Sequence, residues 1–317
     1  MKAFGLQTFI WENNFKSLVL LIVFPILLTI EIYFIVFAFI LGSVEKGDPF
    51  KLTNQSIVIL FPLIVLGVGV WFFIAFFVHK SMTLSMAGAV PIDRNLNPRI
   101  YNLVENLAIS RGLAVPKIYL IPDNSLNAFA TGWSPNDSVI AFSQGLLERL
   151  DDREIEAVAA HELTHITNRD IRLMAVAIIF VGIITTLAEI FIRLRISGNS
   201  DKKDNSGLIF LIQILVFVLG YLISIVIQLA ISRKREFLAD AGSVELTKNP
   251  DALISALEKI SLDPAIEVIK NKQMAQICIE SPLSQQSKMG FVNRLFSTHP
   301  PMADRIQAIR MIGGVNA

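Results

Sequence analysis

The chain has 317 residues and a formal net charge of +1, with 53% apolar but only 17% charged residues and a mean hydropathy of +0.57. The charge balance gives no argument for a nucleic-acid partner or an acidic substrate, and no nucleic acid is expected. Soluble domains sit nearer a quarter charged, so the apolar excess must be placed outside an ordinary soluble core.

In chain order, the first features are two long apolar runs, roughly Ser17–Leu41 and Ser56–Val78. Two more follow at roughly Leu173–Ile192 and Leu208–Ile231. Each meets the roughly 20 residues that a helix needs to cross a bilayer. The first is too long for a signal-peptide core, and no small-x-small cleavage site follows it, so it is expected to stay in the mature protein. Glu31, near the middle of that run, is costly in hydrocarbon unless it faces a partner or water. Glu189 has Arg193 four residues on, a spacing that lets a helical pair neutralise it, and Gln213 and Gln228 can hydrogen-bond between helices. Four crossings put the N-terminal arm, the segment from His79 to Arg172 and the tail from Ser232 on one side. Lys2, Lys16, Lys80, Arg169, Arg172, Arg233, Lys234 and Arg235 flank the membrane there. Lys46, Lys51, Arg193, Arg195, Lys202 and Lys203 lie on the other side. The positive-inside rule then predicts a multi-pass membrane protein with its soluble parts cytoplasmic.

Between the second and third runs, Asn97–Gly112 reads as an amphipathic helix, with Ile100, Leu103, Val104, Leu107 and Ala108 at helical spacing. Lys117–Ile121, Asn127–Thr131 and Ser138–Phe142 read as short strands. The turn chemistry of Gly132–Asp137 makes the last two a hairpin. Gly145–Leu150 is helical. Asp152–Asn168 is a helix with Ile155, Val158, Ala159 and Leu163 on its apolar face and acids in its first turn. After the fourth run, Ser232–Leu246 and Asp251–Ile260 are helical, and Pro264–Gly290 is a mixed, polar connector. Pro300–Ile312 is a last short helix with Gly313 at its end. Cys278 is the one cysteine, so no intramolecular disulfide is possible; it reads as an apolar filler.

The expected fold is therefore a mainly α membrane protein: four transmembrane helices plus a helix-rich soluble domain with a small β-sheet. It divides into an N-terminal arm with helices one and two (1–79) and a first soluble part (80–171). A membrane hairpin (172–231) and a second soluble part (232–317) follow.

The chemistry is carried by His161-Glu162-Leu163-Thr164-His165. Four residues apart on a helix, both imidazoles share a face and reach one metal ion. Glu162, one step round, can take a proton from a metal-bound water without being a ligand and deliver it to the leaving amine. Catalytic zinc needs three protein ligands and an open position. The chain offers only two other His, and His79, at the end of the second run, reads as interfacial. A carboxylate on another helix is the better third ligand. Glu236-Phe237-Leu238-Ala239-Asp240 supplies Glu236, with Asp240 one turn on to accept the spare N–H of a ligand His. One Zn2+ per chain is expected. Asn168 and Asp170 read as the end of the catalytic helix, and Arg305 as able to pair with an acid near the site.

These stretches resemble the HtpX-type membrane zinc metalloproteases, gluzincin relatives of the CAAX prenyl proteases. The matching segments are Ala159–Asp170, Ser232–Asp240, Asn127–Gly132 and Ser297–Pro301, together with the four apolar runs. The resemblance implies that the soluble domain is a zincin-like helical metalloprotease domain, its first part (80–171) carrying the His161–His165 helix and its second (232–317) the third zinc ligand. It implies an endopeptidase acting on membrane or misfolded proteins in quality control and stress response. It implies that Asn127, Ala128, Phe129, Ala130, Thr131 and Gly132 form an edge strand that pairs with an extended peptide substrate. It also implies that His299 lies near the site, where it could steady the oxyanion formed on attack. A zinc-holding scaffold without activity would have no need of Glu162. A transporter would use Glu31 and Glu189 and show carboxylate-dependent flux in liposomes.

Overall fold

The structure is a computed structural model that describes residues 6–43, 47–95, 97–176, 179, 220, 233–262, 278 and 300–313. The third and fourth apolar runs, with Glu189, Gln213 and Gln228, lie almost wholly outside the described residues, as do His299, the side chain of Glu31 and all of the polar connector except Cys278. The chain separates into two compact units, one of 17–78 and 176–230 and the other of 1–16, 79–175 and 231–317.

The first two runs form α1 (Leu6–Ser43) and α2 (Pro49–Met86). Both contain stretches long and apolar enough to cross a membrane: Asn14–Phe34 with hydropathy 2.4, and α2 with 2.8. At 38 residues α2 is about 57 Å long, well beyond a hydrocarbon core of about 30 Å. Val58, Ile59, Leu63, Leu66 and Phe73 are each more than 60% exposed along it. Such a surface is costly in water and suited to lipid. Tyr33 Oη donates to Asn54 Oδ1 at 3.0 Å, tying α1 to α2.

The second unit holds a four-stranded sheet and a cluster of helices. Its strands are β1 (Val90–Pro91), β2 (Lys117–Ile121), β3 (Ala128–Gly132) and β4 (Ser138–Ser143), in the order β1-β2-β4-β3. The expected hairpin is present: β3 pairs antiparallel with β4, with Phe129 opposite Ala141. Gly132 permits the turn between them, since its φ is 141° and a Cβ there would lie 2.2 Å from the Asp137 carbonyl. The β2–β4 pairing is parallel, and β1, too short to read from sequence, extends the far side. β3 is left at the sheet edge.

The helices are α3 (Pro98–Ser110), α4 (Gln144–Arg149), α5 (Asp152–Thr167), α6 (Lys234–Thr247), α7 (Pro250–Leu262) and α8 (Met302–Gly313). α5 starts at a capping box: Glu154 N–H donates to Asp151 Oδ1 at 2.9 Å, and Asp151 N–H to Glu154 Oε2 at 2.8 Å. Buried Glu154 also accepts from Ser255 Oγ at 2.6 Å and from Lys259 Nζ at 2.7 Å, anchoring α7 to the start of α5. Ile155, Val158, Ala159 and Leu163 are fully buried, as their spacing predicts, among side chains from α3, β4 and α7. α6 lies close along α5 because position 242 is glycine: a Cβ there would meet Thr164 Cγ2 at 2.5 Å. Ser243 Oγ donates to the Ala157 carbonyl at 2.6 Å across the same contact. That close approach sets where Glu236 and Asp240 face α5.

Candidate metal centre

His161, Glu162 and His165 come from one face of α5, and Glu236 and Asp240 from the first turns of α6. Their ligand atoms converge. Nε2 of His161 and Nε2 of His165 are 3.1 Å apart. Glu236 Oε2 lies 3.7 Å from the first and Oε1 3.8 Å from the second. One ligand atom from each of the three residues can be chosen with all separations within 4.8 Å. A tetrahedral zinc with arms of about 2.0–2.1 Å separates its ligand atoms by about 3.3 Å, so this donor set fits the ion. The ring orientations agree with that use. Each His turns Nδ1 away from the centre to a buried carboxylate, leaving Nε2 for the metal.

For His161 that carboxylate is Asp240, 3.0 Å from Nδ1. Asp240 is itself gripped by fully buried Arg305 of α8, with Nε donating to Oδ2 at 2.9 Å and the Nη2 amino group to Oδ1 at 2.7 Å. Burial works to raise the Asp240 carboxyl, but the Arg305 guanidinium and His161 together outweigh it and hold the group below its ordinary range. The Nη1 amino group of Arg305 also lies 3.8 Å from Glu236 Oε2. The sequence reading that Arg305 pairs with a nearby acid is met by Asp240.

For His165 the carboxylate is Asp170, with Oδ2 2.8 Å from Nδ1. This corrects the reading of Asp170 as merely ending the catalytic helix. Arg169 sits at φ 63°, in the left-handed region, and turns the chain so that Asp170 reaches back to His165. Burial alone would lower the His165 imidazole. The Asp170 hydrogen bond and the Glu236 charge outweigh it and raise the group to about 9. His161, fully buried, is lowered by desolvation despite Asp240.

Glu162 is 1% exposed, and its Oε1 has no hydrogen-bond partner among the described residues. Burial raises its carboxyl to about 7, while neighbouring His165 pulls the other way and a backbone hydrogen bond from Ala130 of β3 adds to that pull. A buried carboxyl poised near neutrality beside a metal-ligand cluster has the character of a general base. A cavity bordered by Ala130, Glu162, His165, Ile171, Met174, Glu236 and Cys278 opens here. β3 thus borders the site, with Asn127–Gly132 all buried. His79 stacks edge-to-face on Trp133, 5.6 Å between ring centres, and stands apart from the ligand cluster.

The sequence profile of peptidase family M48 matches residues 94–312, which include every residue of this centre. The chain belongs to peptidase family M48. This M48 chain is 43% identical over 316 residues to a "Protease HtpX homolog" of Bacteroides fragilis, covering 96% of this chain and 98% of the relative. It is 38% identical over 240 residues to one from Tropheryma whipplei, covering 76% and 81%. It is 34% identical over 316 residues to one from Dictyoglomus thermophilum, covering 99% and 97%. The crystal structure of Ste24p from S. mikatae aligns at 19% identity and a TM-score of 0.45, covering 75% of this chain and 58% of that one. Family membership makes the chain a metallopeptidase acting on polypeptides, and its two apolar helices accord with a membrane protease.

Proposed function

We propose that this M48 chain is a zinc-dependent endopeptidase of the inner (plasma) membrane, anchored by four helices. In this reading it cleaves membrane or misfolded proteins on the cytoplasmic face as part of quality control. The observation that carries the reading is the convergence of His161 Nε2, His165 Nε2 and the Glu236 carboxylate, with buried Glu162 beside them. His161, His165 and Glu236 would hold the ion, one per chain. When bound, zinc supplies a Lewis acid that polarises the scissile carbonyl and acidifies a water molecule. Glu162 takes the proton of the attacking water and returns it to the leaving amine. Asp240, backed by Arg305, and Asp170 fix the tautomers of the two imidazoles. The edge of β3 at Asn127–Gly132 binds the substrate as an added strand through main-chain hydrogen bonds, which favours low sequence specificity. His299 steadies the developing oxyanion. The deciding measurement is casein cleavage by the purified, detergent-solubilised protein with zinc, with chelator and as Glu162→Gln. Cleavage that requires zinc and disappears in a zinc-loaded Glu162→Gln supports the mechanism; proteolysis retained by that variant sinks it.

A further inference from the structure

Cys278, in the polar connector, sits on the strand assigned to substrate. Cys278 forms an antiparallel bridge with Phe129. Phe129 already pairs with Ala141 of β4 on its other side, so Cys278 occupies the outer edge of β3, the edge an extended peptide would use. The contact is not a surface graze. Cys278 is 2% exposed and packs in a cluster with Phe129, Ala141, Ile121 and Val139. It also borders the cavity that holds Glu162, His165 and Glu236. In an antiparallel ladder the bonded pairs alternate, so Phe129 turns its own N–H and C=O to Ala141 and the outer edge is offered by Ala128 and Ala130 on either side of it. A substrate strand and Cys278 therefore cannot both lie opposite Phe129 on that edge. A peptide can pair along the five residues of β3.

We propose that Cys278 occupies the substrate edge in the resting enzyme, so that the chain competes with its own substrates and a peptide must displace Cys278 from Phe129 before it is cut. This rests on the reading of β3 as the substrate strand. It gives Cys278 a task in restraining activity, including self-cleavage, that its reading as filler does not suggest.

Cys278 is the chain's one cysteine, so the unmodified protein carries its own reporter. The experiment uses zinc-loaded full-length Glu162→Gln in detergent, which binds without cleaving, and follows reaction with a water-soluble maleimide with and without saturating casein. Casein binding is measured separately by fluorescence anisotropy. Slow labelling of the resting protein is expected, with acceleration of at least tenfold when casein is bound. Wild-type protein labelled during casein turnover, then freed of casein, should show a KM for casein lowered severalfold at similar kcat, because the adduct cannot return to the edge. Cys278→Arg, too large and charged for a position that is 2% exposed, should shift KM the same way, and Cys278→Ser should leave KM unchanged. Casein that binds and is cleaved by the wild type, yet leaves the labelling rate unchanged or slower, overturns this inference alone. Casein that neither binds nor is cleaved overturns the substrate-strand reading and this inference with it.

Discussion

Asp170 meets His165 Nδ1 at 2.8 Å only because the chain reverses at Arg169, whose φ of 63° is unusual for a residue with a side chain. The strain of that backbone is held where it aims a carboxylate at a ligand imidazole. Asp170→Asn keeps the size and one acceptor but loses the charge. Zinc affinity by chelator competition should fall about 10–100-fold, with Asp170→Glu recovering part of it. The cobalt-substituted protein should show a changed visible spectrum. An unaltered metal affinity in a folded Asp170→Asn protein would mean that Asp170 serves the turn alone.

Arg305 is expected to behave differently, because it acts on stability as well as on the metal. It is fully buried and doubly bonded to buried Asp240. Arg305→Met leaves that carboxylate without its cation, a change that costs about 3–5 kcal/mol when one partner of a buried pair is removed. Arg305→Lys should rescue little, since an ammonium cannot reproduce the two parallel bonds of a guanidinium. The double change Arg305→Met with Asp240→Asn should regain much of the loss. A double-mutant cycle read by thermal unfolding tests this, and simple additivity would contradict the coupling.

Helix spacing carried much of the candidate centre. His161 and His165 are one turn apart on α5, and Glu236 and Asp240 one turn apart on α6, so their shared faces could be read from the letters. The hairpin was readable from Gly132 and the turn residues after it. What could not be read depends on contacts between distant parts of the chain or on rare backbone. Arg305 and Asp240 are 65 positions apart. Asp170 depends on a left-handed arginine, for which no residue-type signal exists. Cys278 looked like filler because its partner, Phe129, is met only across the tertiary fold. β1 has two residues and no period to detect.

The contact between α5 and α6 should be intolerant of even a small side chain. Gly242→Val would drive a Cβ to within 2.5 Å of Thr164 Cγ2, so the helices must part. Overpacking of this kind costs about 1–3 kcal/mol. Because Glu236 and Asp240 ride on the same helix, zinc affinity should fall along with stability. Paired measurements of unfolding temperature and zinc affinity check this. A full loss of stability with native affinity in the folded fraction would show that the metal geometry does not depend on that spacing.

Metal removal should be felt by the fold itself. The centre gathers the carboxylates of Glu162, Glu236, Asp240 and Asp170, each at most 3% exposed, around two imidazoles and one guanidinium. A divalent cation there offsets acids that otherwise crowd one another. An ion held at about a thousand times its dissociation constant stabilises the folded state by about 4 kcal/mol. For a unit of this size that is a shift on the order of ten degrees in unfolding temperature. Chelator should lower the transition by about that much, and added zinc should restore it. Glu162→Gln should retain the shift, because it is not a ligand in this reading, whereas Glu236→Gln should lose most of it. The opposite pattern would move the third ligand from α6 to Glu162 and overturn the assignment of the general base.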